Sequence, residues 1–312
     1  MTEFSIVLLG AGTIGASWAA LFLSHNAKVT VFDPSTKALS KLKPYIKNAW
    51  RDLKKLDPTL NTIPWQLLKL SQDLATICDK PDWVQENAPD QLKLKQNLLQ
   101  EAETFLPTYV PIASSTTALM ATDIQAEMIF PERFLIAHPF NPPHLIPLVE
   151  VVAGEKTASG LTERAKNFYE RFGKEVIIPK REAIGHVANR LNAALYREVV
   201  NMVATGIASV EDIDRAVVHS LGLRWAFLGP NLVYHLGGGE GGYAQYLEHL
   251  GSSQEARWKD LGEVALTPEI KQNLIDGLKD TLEGQTIETL CKERDNALVK
   301  LLSLKNAFRQ EK

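Results

Sequence analysis

Ser5-Ile6-Val7-Leu8-Leu9-Gly10-Ala11-Gly12-Thr13-Ile14-Gly15 decides how this 312-residue chain folds. The apolar run lacks polar alternation and reads as a strand buried on both faces, as in a parallel sheet. A Gly-x-Gly-x-x-Gly follows at once, and then a helix-patterned segment from Gly15 to His25. Strand, glycine turn and helix together form a dinucleotide signal. Gly10 permits the tight turn, Gly12 lets backbone approach a pyrophosphate, and Gly15 allows helix and strand to pack closely. The helix N-terminus, with Thr13 and Ile14 in its first turn, offers N–H groups and a positive dipole end to the phosphates. A second strand, Lys28-Val29-Thr30-Val31-Phe32, ends at Asp33. A carboxylate there accepts hydrogen bonds from ribose hydroxyls and repels a 2′-phosphate, so the expected cofactor is NAD rather than NADP.

Outward from this stretch, short β-rich runs alternate with helical patterns, the signature of a parallel α/β sheet. Further strands are expected at 83–86, 110–114, 134–137, 148–152 and 175–178. Residues 36–55 carry seven Lys/Arg and one acid, with Leu39, Leu42, Ile46, Ala49 and Leu53 at helical spacing. Pro44 is expected to kink or split that helix. Its basic residues are either a solvated face or a surface for a phosphorylated ligand. Past Pro179 the chain is helix-patterned, with the boundary near Glu182 to His186. That gives residues 1–185 to the sheet domain and 186–312 to a helical one.

The composition is that of a folded, soluble protein: 34 Lys+Arg against 37 Asp+Glu, net charge −3, 45% hydrophobic and 23% charged. Disordered, collagen-like and disulfide-scaffold classes are excluded, and nothing in the charge balance calls for nucleic acid. The uncharged run Phe4 to Ser24 superficially resembles a signal peptide or a membrane span. However, Met1-Thr2-Glu3 places an acid where a basic leader region belongs, and three glycines interrupt the run. We therefore expect neither a leader nor a membrane partner. Cys78 and Cys291 are far apart in sequence, so neither a metal site nor a redox dithiol is expected. A reducing, cytoplasmic compartment fits.

The second informative stretch runs from Ala137-His138-Pro139-Phe140-Asn141-Pro142-Pro143-His144 to Leu148-Val149-Glu150. His138 closes one expected strand, and Glu150 lies on the strand that returns. A carboxylate on one imidazole nitrogen fixes the tautomer and stabilises the imidazolium, which leaves the other nitrogen as general base.

With these residues the chain resembles the 3-hydroxyacyl-CoA dehydrogenase superfamily. The matching motifs are Gly10 to Gly15, Asp33, Glu86-Asn87, Ser114-Ser115-Thr116-Thr117, His138 to Asn141, Leu148 to Glu150, Asn189-Arg190-Leu191 and Glu211 to Asp214. The resemblance implies a Rossmann-like N-terminal domain followed by an all-helical C-terminal domain, a homodimer, and NAD-dependent oxidation of an L-3-hydroxyacyl group. It also implies that His138 is the base, Glu150 its orienting acid, and Asn189 a hydrogen-bond donor to the reacting oxygen. Thr117 stands where the family has a serine, with Ser115 as a nearby substitute. Glu86 and Lys95 align with cofactor-side positions, although Lys95 also reads as a surface helix lysine.

Within the superfamily, Leu223-Arg224-Trp225-Ala226-Phe227 looks like the subgroup acting on free hydroxy acids, which includes L-gulonate 3-dehydrogenase, its relative lambda-crystallin, and the carnitine enzymes. The glycine-rich continuation Tyr234 to Gly242 is similar to the last of these. Arg224 suits a small-molecule carboxylate, or else a salt bridge. Trp225, Phe227, Tyr234, Tyr243 and Glu240 suit a quaternary ammonium; helix-packing core is the other reading of Trp225 and Phe227. A glycine-rich mobile loop is expected at 237–242. Short L-3-hydroxyacyl-CoA esters and a non-catalytic crystallin-like role are the alternatives.

Overall fold

The computed structural model describes residues 4–77, 80–282 and 284–310. Met1-Thr2-Glu3 and Cys78, on which two of the expectations rest, lie outside them. Eight strands form one sheet: β1 (Ser5–Leu9), β2 (Lys28–Phe32), β3 (Leu68–Ser71), β4 (Trp83–Glu86), β5 (Ile112–Ser114), β6 (Phe134–Pro139), β7 (Leu148–Val152) and β8 (Glu175–Ile177). Their order is β3-β2-β1-β4-β5-β6-β7-β8. All neighbours run parallel except β6 and β7, which form an antiparallel pair. The crossover from β1 to β4 makes a topological switch point, and ligands of such sheets bind outside the carboxyl ends of the strands there.

Helices cover both faces of the sheet, so the strands do not alternate in polarity. Ile6 and Leu8 point into one core with α1 (Thr13–Ser24), α2 (Thr36–Leu56) and α5 (Leu161–Glu170). Val7 and Leu9 point into the other, with α3 (Leu92–Glu103) and α4 (Ala121–Gln125). Polar side chains are stitched into the first core. The buried Trp83 Nε1 donates to the Tyr169 hydroxyl at 3.0 Å, which in turn bonds Gln85.

The helices that follow are α6 (Ala188–Ala204), α7 (Val210–Ala216), α8 (Gly222–Trp225), α9 (Pro230–Gly237), α10 (Gly242–Asp260), α11 (Pro268–Leu282) and α12 (Ile287–Gln310). The chain divides into two compact units, one of Met1–Arg190 with Lys292–Lys312, the other of Leu191–Cys291. In the second, α9 packs on α10 and α7 on α11. A π-helical turn, Val217–Leu221, precedes α8.

Several expectations need correction. Pro44 does not split α2, which runs unbroken from Thr36 to Leu56. Leu39, Leu42, Ile46, Ala49, Trp50 and Leu53 are buried and its lysines exposed, so packing of one face holds the helix across the proline. β3 was not expected; it has four residues, at the sheet edge, with a lysine in the middle. β5 begins at Ile112 rather than 110, because Pro111 has no N–H to add to a ladder. Lys292–Lys312, assigned from sequence to the helical half, groups with the sheet. There Lys55 Nζ donates to Asn296 Oδ1 at 2.8 Å and Val299 is buried.

Candidate active site

The carboxyl ends of β1, β2, β4 and β5 converge on the glycine turn. Gly10, at φ +109°, faces the Asn87 backbone so closely that a Cβ would lie 2.9 Å from it. A Cβ on Gly15 would come within 2.0 Å of the Gly10 carbonyl. Gly12 is the opposite case, with nothing within 4 Å of its Cβ position, so its backbone is open to a ligand. No side chain caps α1 there, and the first-turn N–H groups remain for an anion.

The turn opens on a cavity of ≈ 1010 Å³, which also takes in Asn87, Ser115 and Thr117. That volume suits a dinucleotide. Its lining contains Asp33, Asp73, Asp90 and Glu101 but, among the described residues, neither lysine nor arginine, an environment that disfavours a 2′-phosphate. Asp33 is held by Ala11 N and Ser35 N, each at 2.8 Å on a different oxygen, and each oxygen keeps a lone pair for ribose. Burial pushes the Asp90 carboxyl up, but hydrogen bonds from Thr116 and Thr117 and the nearby Lys95 hold it below the usual range.

Glu86 and Lys95 are absent from the cavity lining. Lys95 is 1% exposed, which excludes the surface-lysine reading. Its Nζ donates to both Glu86 oxygens at 2.9 Å and to Ala88 O at 2.8 Å. The pair braces the loop that carries Asn87 and Asp90 beneath the cavity.

Ser115 and Thr117 separate clearly. The Ser115 hydroxyl donates to Asn87 Oδ1 at 2.8 Å and accepts from Gln85 Nε2 at 2.8 Å and Trp18 Nε1 at 3.3 Å. One donor and two acceptors exhaust a hydroxyl. Thr117 bonds through its backbone N–H to Asp90, and its hydroxyl is uncommitted among the described residues.

His138 and Glu150 are register partners across β6 and β7, and their side chains meet at 2.9 Å between Nδ1 and Oε2. Both are buried. Glu150 Oε1 accepts from Val187 N at 3.0 Å and Ala188 N at 2.9 Å, at the start of α6. Burial pushes the Glu150 carboxyl up, but the bonds from His138, Ala188 and Val187 outweigh it and hold the group below its usual range. A carboxylate only accepts, so His138 Nδ1 carries the proton and Nε2 is left as the basic nitrogen. The loop between the two strands is fixed by Ser17, whose hydroxyl meets His144 Nδ1 at 2.8 Å, and by Lys174, which bonds Pro143 O and Ile146 O. Asn189 follows Ala188 directly, and its amide has no partner among the described residues.

Sequence reasoning missed His186. It is 3% exposed, with its ring 5.2 Å from that of His138. Its position before Asn189 was visible in the sequence, but its packing was not.

The second unit holds the remaining candidates. Arg224 is exposed and donates to Ser220 Oγ at 3.2 Å; among the described residues it makes no salt bridge. Trp225 and Phe227 are each 43% exposed, so neither is core. Tyr234, Tyr246 and Tyr243 stack nearly parallel, with centroids 4.6 and 6.3 Å apart. This is a ladder rather than a cage, and Tyr246 covers one face of Tyr234. Glu240 is exposed in the turn between α9 and α10. The expected mobile loop is instead a tight helix-to-helix turn: a Cβ on Gly238 would lie 1.8 Å from Gly242 O.

The acidic lining yields a prediction. Asp33→Asn removes a charged ribose acceptor and is expected to weaken NAD about tenfold by calorimetry, near 1.4 kcal/mol. Unchanged affinity would show that Asp33 does not meet the ribose.

Comparison with known proteins shows the family. Residues 5–182 match the 3-hydroxyacyl-CoA dehydrogenase NAD binding domain, and residues 185–272 the C-terminal domain of the same family. The L-carnitine dehydrogenase of Streptomyces coelicolor is 40% identical over 297 residues, covering 95% of this chain and 93% of that one. The L-carnitine dehydrogenase of Oceanobacillus iheyensis is 36% identical over 299 residues, covering 96% and 97%. Among solved structures, 5-formyl-3-hydroxy-2-methylpyridine 4-carboxylic acid 5-dehydrogenase, an NAD+-dependent dismutase, superposes with TM-score 0.84 at 25% identity. It covers 97% of this chain and 98% of that one. The 3-hydroxybutyryl-CoA dehydrogenase of Escherichia coli K12 gives TM-score 0.62 at 26% identity, covering 70% of this chain and 46% of that one. This chain, an NAD-dependent oxidoreductase, belongs to the 3-hydroxyacyl-CoA dehydrogenase family.

Proposed function

We propose that the protein oxidises the 3-hydroxyl of a free L-3-hydroxy acid, L-carnitine, to 3-dehydrocarnitine. The observation that carries the chemistry is the buried His138–Glu150 pair. Neutral His138 takes the hydroxyl proton at Nε2, and Glu150 stabilises the resulting imidazolium. The Asn189 amide and the Thr117 hydroxyl hold the substrate oxygen, a role the committed Ser115 hydroxyl is not free to fill. NAD, when bound, accepts the hydride from C3. Residues 1–185 supply cofactor site and base, and the helical unit Leu191–Cys291 shapes the substrate side.

The substrate assignment draws on the carnitine enzymes, which match over nearly the whole length of this chain. It also draws on the pyridine carboxylic acid dehydrogenase, which superposes over 97% of the chain. We assign the substrate carboxylate to Arg224, whose guanidinium suits bidentate recognition. We assign the trimethylammonium group to the exposed aromatic residues Trp225, Phe227 and Tyr234, with Glu240 as counter-charge. A second reading, a short L-3-hydroxyacyl-CoA, draws on Lys37 and Lys41, which flank a cavity of ≈ 410 Å³ beside Gly12.

The helical unit exposes Trp258, Leu223 and Ile275, each more than half accessible. Exposed apolar groups of this size favour a partner surface, and we assign them to a homodimer. No helix among the described residues is long and apolar enough to cross a membrane. We place the protein in the cytoplasm, a setting that fits two cysteines far apart in sequence.

Three outcomes are expected. NAD reduction followed by absorbance proceeds with L-carnitine, and His138→Ala lowers kcat about 10²–10⁴-fold; turnover of 3-hydroxybutyryl-CoA alone favours the second reading. Arg224→Met raises KM for carnitine about 10- to 100-fold with little change in kcat, the range for one charged hydrogen-bonded contact. Light scattering gives twice the 34.7 kDa chain mass; a monomer at micromolar concentration refutes the dimer.

A further inference from the structure

His186 combines three features that the reaction above does not use. Its backbone is left-handed at φ +52°, directly after Gly185 at φ +75°. Apart from Asn26, it is the one described residue other than glycine in that region. Its imidazole is buried, tilted 48° against the His138 ring, and bonded through Nε2 to Thr116 O at 3.3 Å. Nδ1 is buried and has no hydrogen-bond partner among the described residues.

The next two residues in the chain are Val187 and Ala188, whose N–H groups both end on Glu150 Oε1. A left-handed residue ahead of successive N–H groups turns them toward one acceptor, the arrangement of a backbone anion nest. Such strain persists only where the surroundings enforce it, and it collects at functional sites. Here the enforcement is visible: the imidazole is wedged between His138 and the Thr116 carbonyl. A carbonyl only accepts, so Nε2 carries the proton and Nδ1 holds a bare lone pair. Burial pushes the imidazolium form down and outweighs the Thr116 carbonyl, which opposes it; the neighbouring His138 adds to the effect, and Glu150 and Asp90 oppose it. An uncharged ring therefore packs beside the base and adds no repulsion when the base takes its proton.

We propose that His186 is a positioning residue for the His138–Glu150 pair, acting through the left-handed turn that aims the Val187 and Ala188 N–H groups at Glu150. The inference rests on His138 being the base, and its test separates from that reading.

The test ranks substitutions by how well each adopts positive φ. Glycine does so freely, asparagine tolerates it, alanine resists and valine resists most. The expected order of kcat is Gly and Asn within about fivefold of wild type, then Ala, then Val about 10- to 100-fold down, the scale of losing hydrogen bonds to a charged group. The NAD dissociation constant is unchanged throughout. A readout that needs no turnover accompanies it. The ¹³C-labelled Glu150 carboxyl, assigned by subtraction with Glu150→Gln, titrates higher in His186→Val than in wild type and stays low in His186→Asn. If Val does not fold, Ala against Gly carries the same comparison. Activity ranked by side-chain size instead, with Val above Ala above Gly, overturns the proposal, as does a Glu150 titration that is the same in every variant. Persistence of activity in His138→Ala would count against the assigned base, whereas the carboxyl titration would still report on the turn.

Discussion

The hydrogen bond between His138 and Glu150 is the interaction on which the rest of the site depends. A buried carboxylate is costly unless it is paired and hydrogen-bonded on all sides. Glu150 meets that condition with one imidazole and two backbone N–H groups, each bond to a charged group contributing about 1.5–3 kcal/mol. Three features of the structure hold this arrangement. The antiparallel turn between β6 and β7 sets the two residues opposite one another, Ser17 and Lys174 fix the loop that joins them, and the start of α6 closes the carboxylate from the other side.

The cofactor half follows a different physical logic. It works through absence: no Cβ at Gly12, no side-chain cap at the head of α1, and no lysine or arginine in the cavity lining among the described residues. Where bulk is present it is structural, as with the Glu86–Lys95 pair, which carries the loop that lines the cavity. The committed Ser115 hydroxyl belongs to the same framework, tying Asn87 and Gln85 to Trp18. The Thr117 hydroxyl, by contrast, has no partner among the described residues.

Much of this was legible in the sequence because it depends on spacing and side-chain type. Gly10, Gly12, Gly15 and Asp33 are placed by their positions on a strand–turn–helix. His138 and Glu150 are paired because one hydrophobic strand turns and returns as another. What stayed hidden depends on tertiary packing or backbone conformation. Lys95 reads as a helix surface residue until Glu86 is placed opposite it. Pro44 reads as a break until the buried apolar face of α2 is seen to hold the helix across it. Leu68–Ser71 is too short and too polar to announce an edge strand. The Val187 and Ala188 donors are main-chain groups that any residue would carry, and the left-handed state of His186 leaves no trace in composition. In the helical unit, aromatic residues close in sequence suggested a cage, but parallel stacking of Tyr234, Tyr246 and Tyr243 uses some of their faces on one another.

The most direct measurement is ¹⁵N NMR of the His138 side chain in the neutral, substrate-free enzyme. A proton on Nδ1 and a bare Nε2 are expected, with this tautomer preference lost in Glu150→Gln. A proton resident on Nε2 in the wild-type enzyme, or a tautomer indifferent to Glu150→Gln, would contradict the assignment of His138 as a base oriented by Glu150.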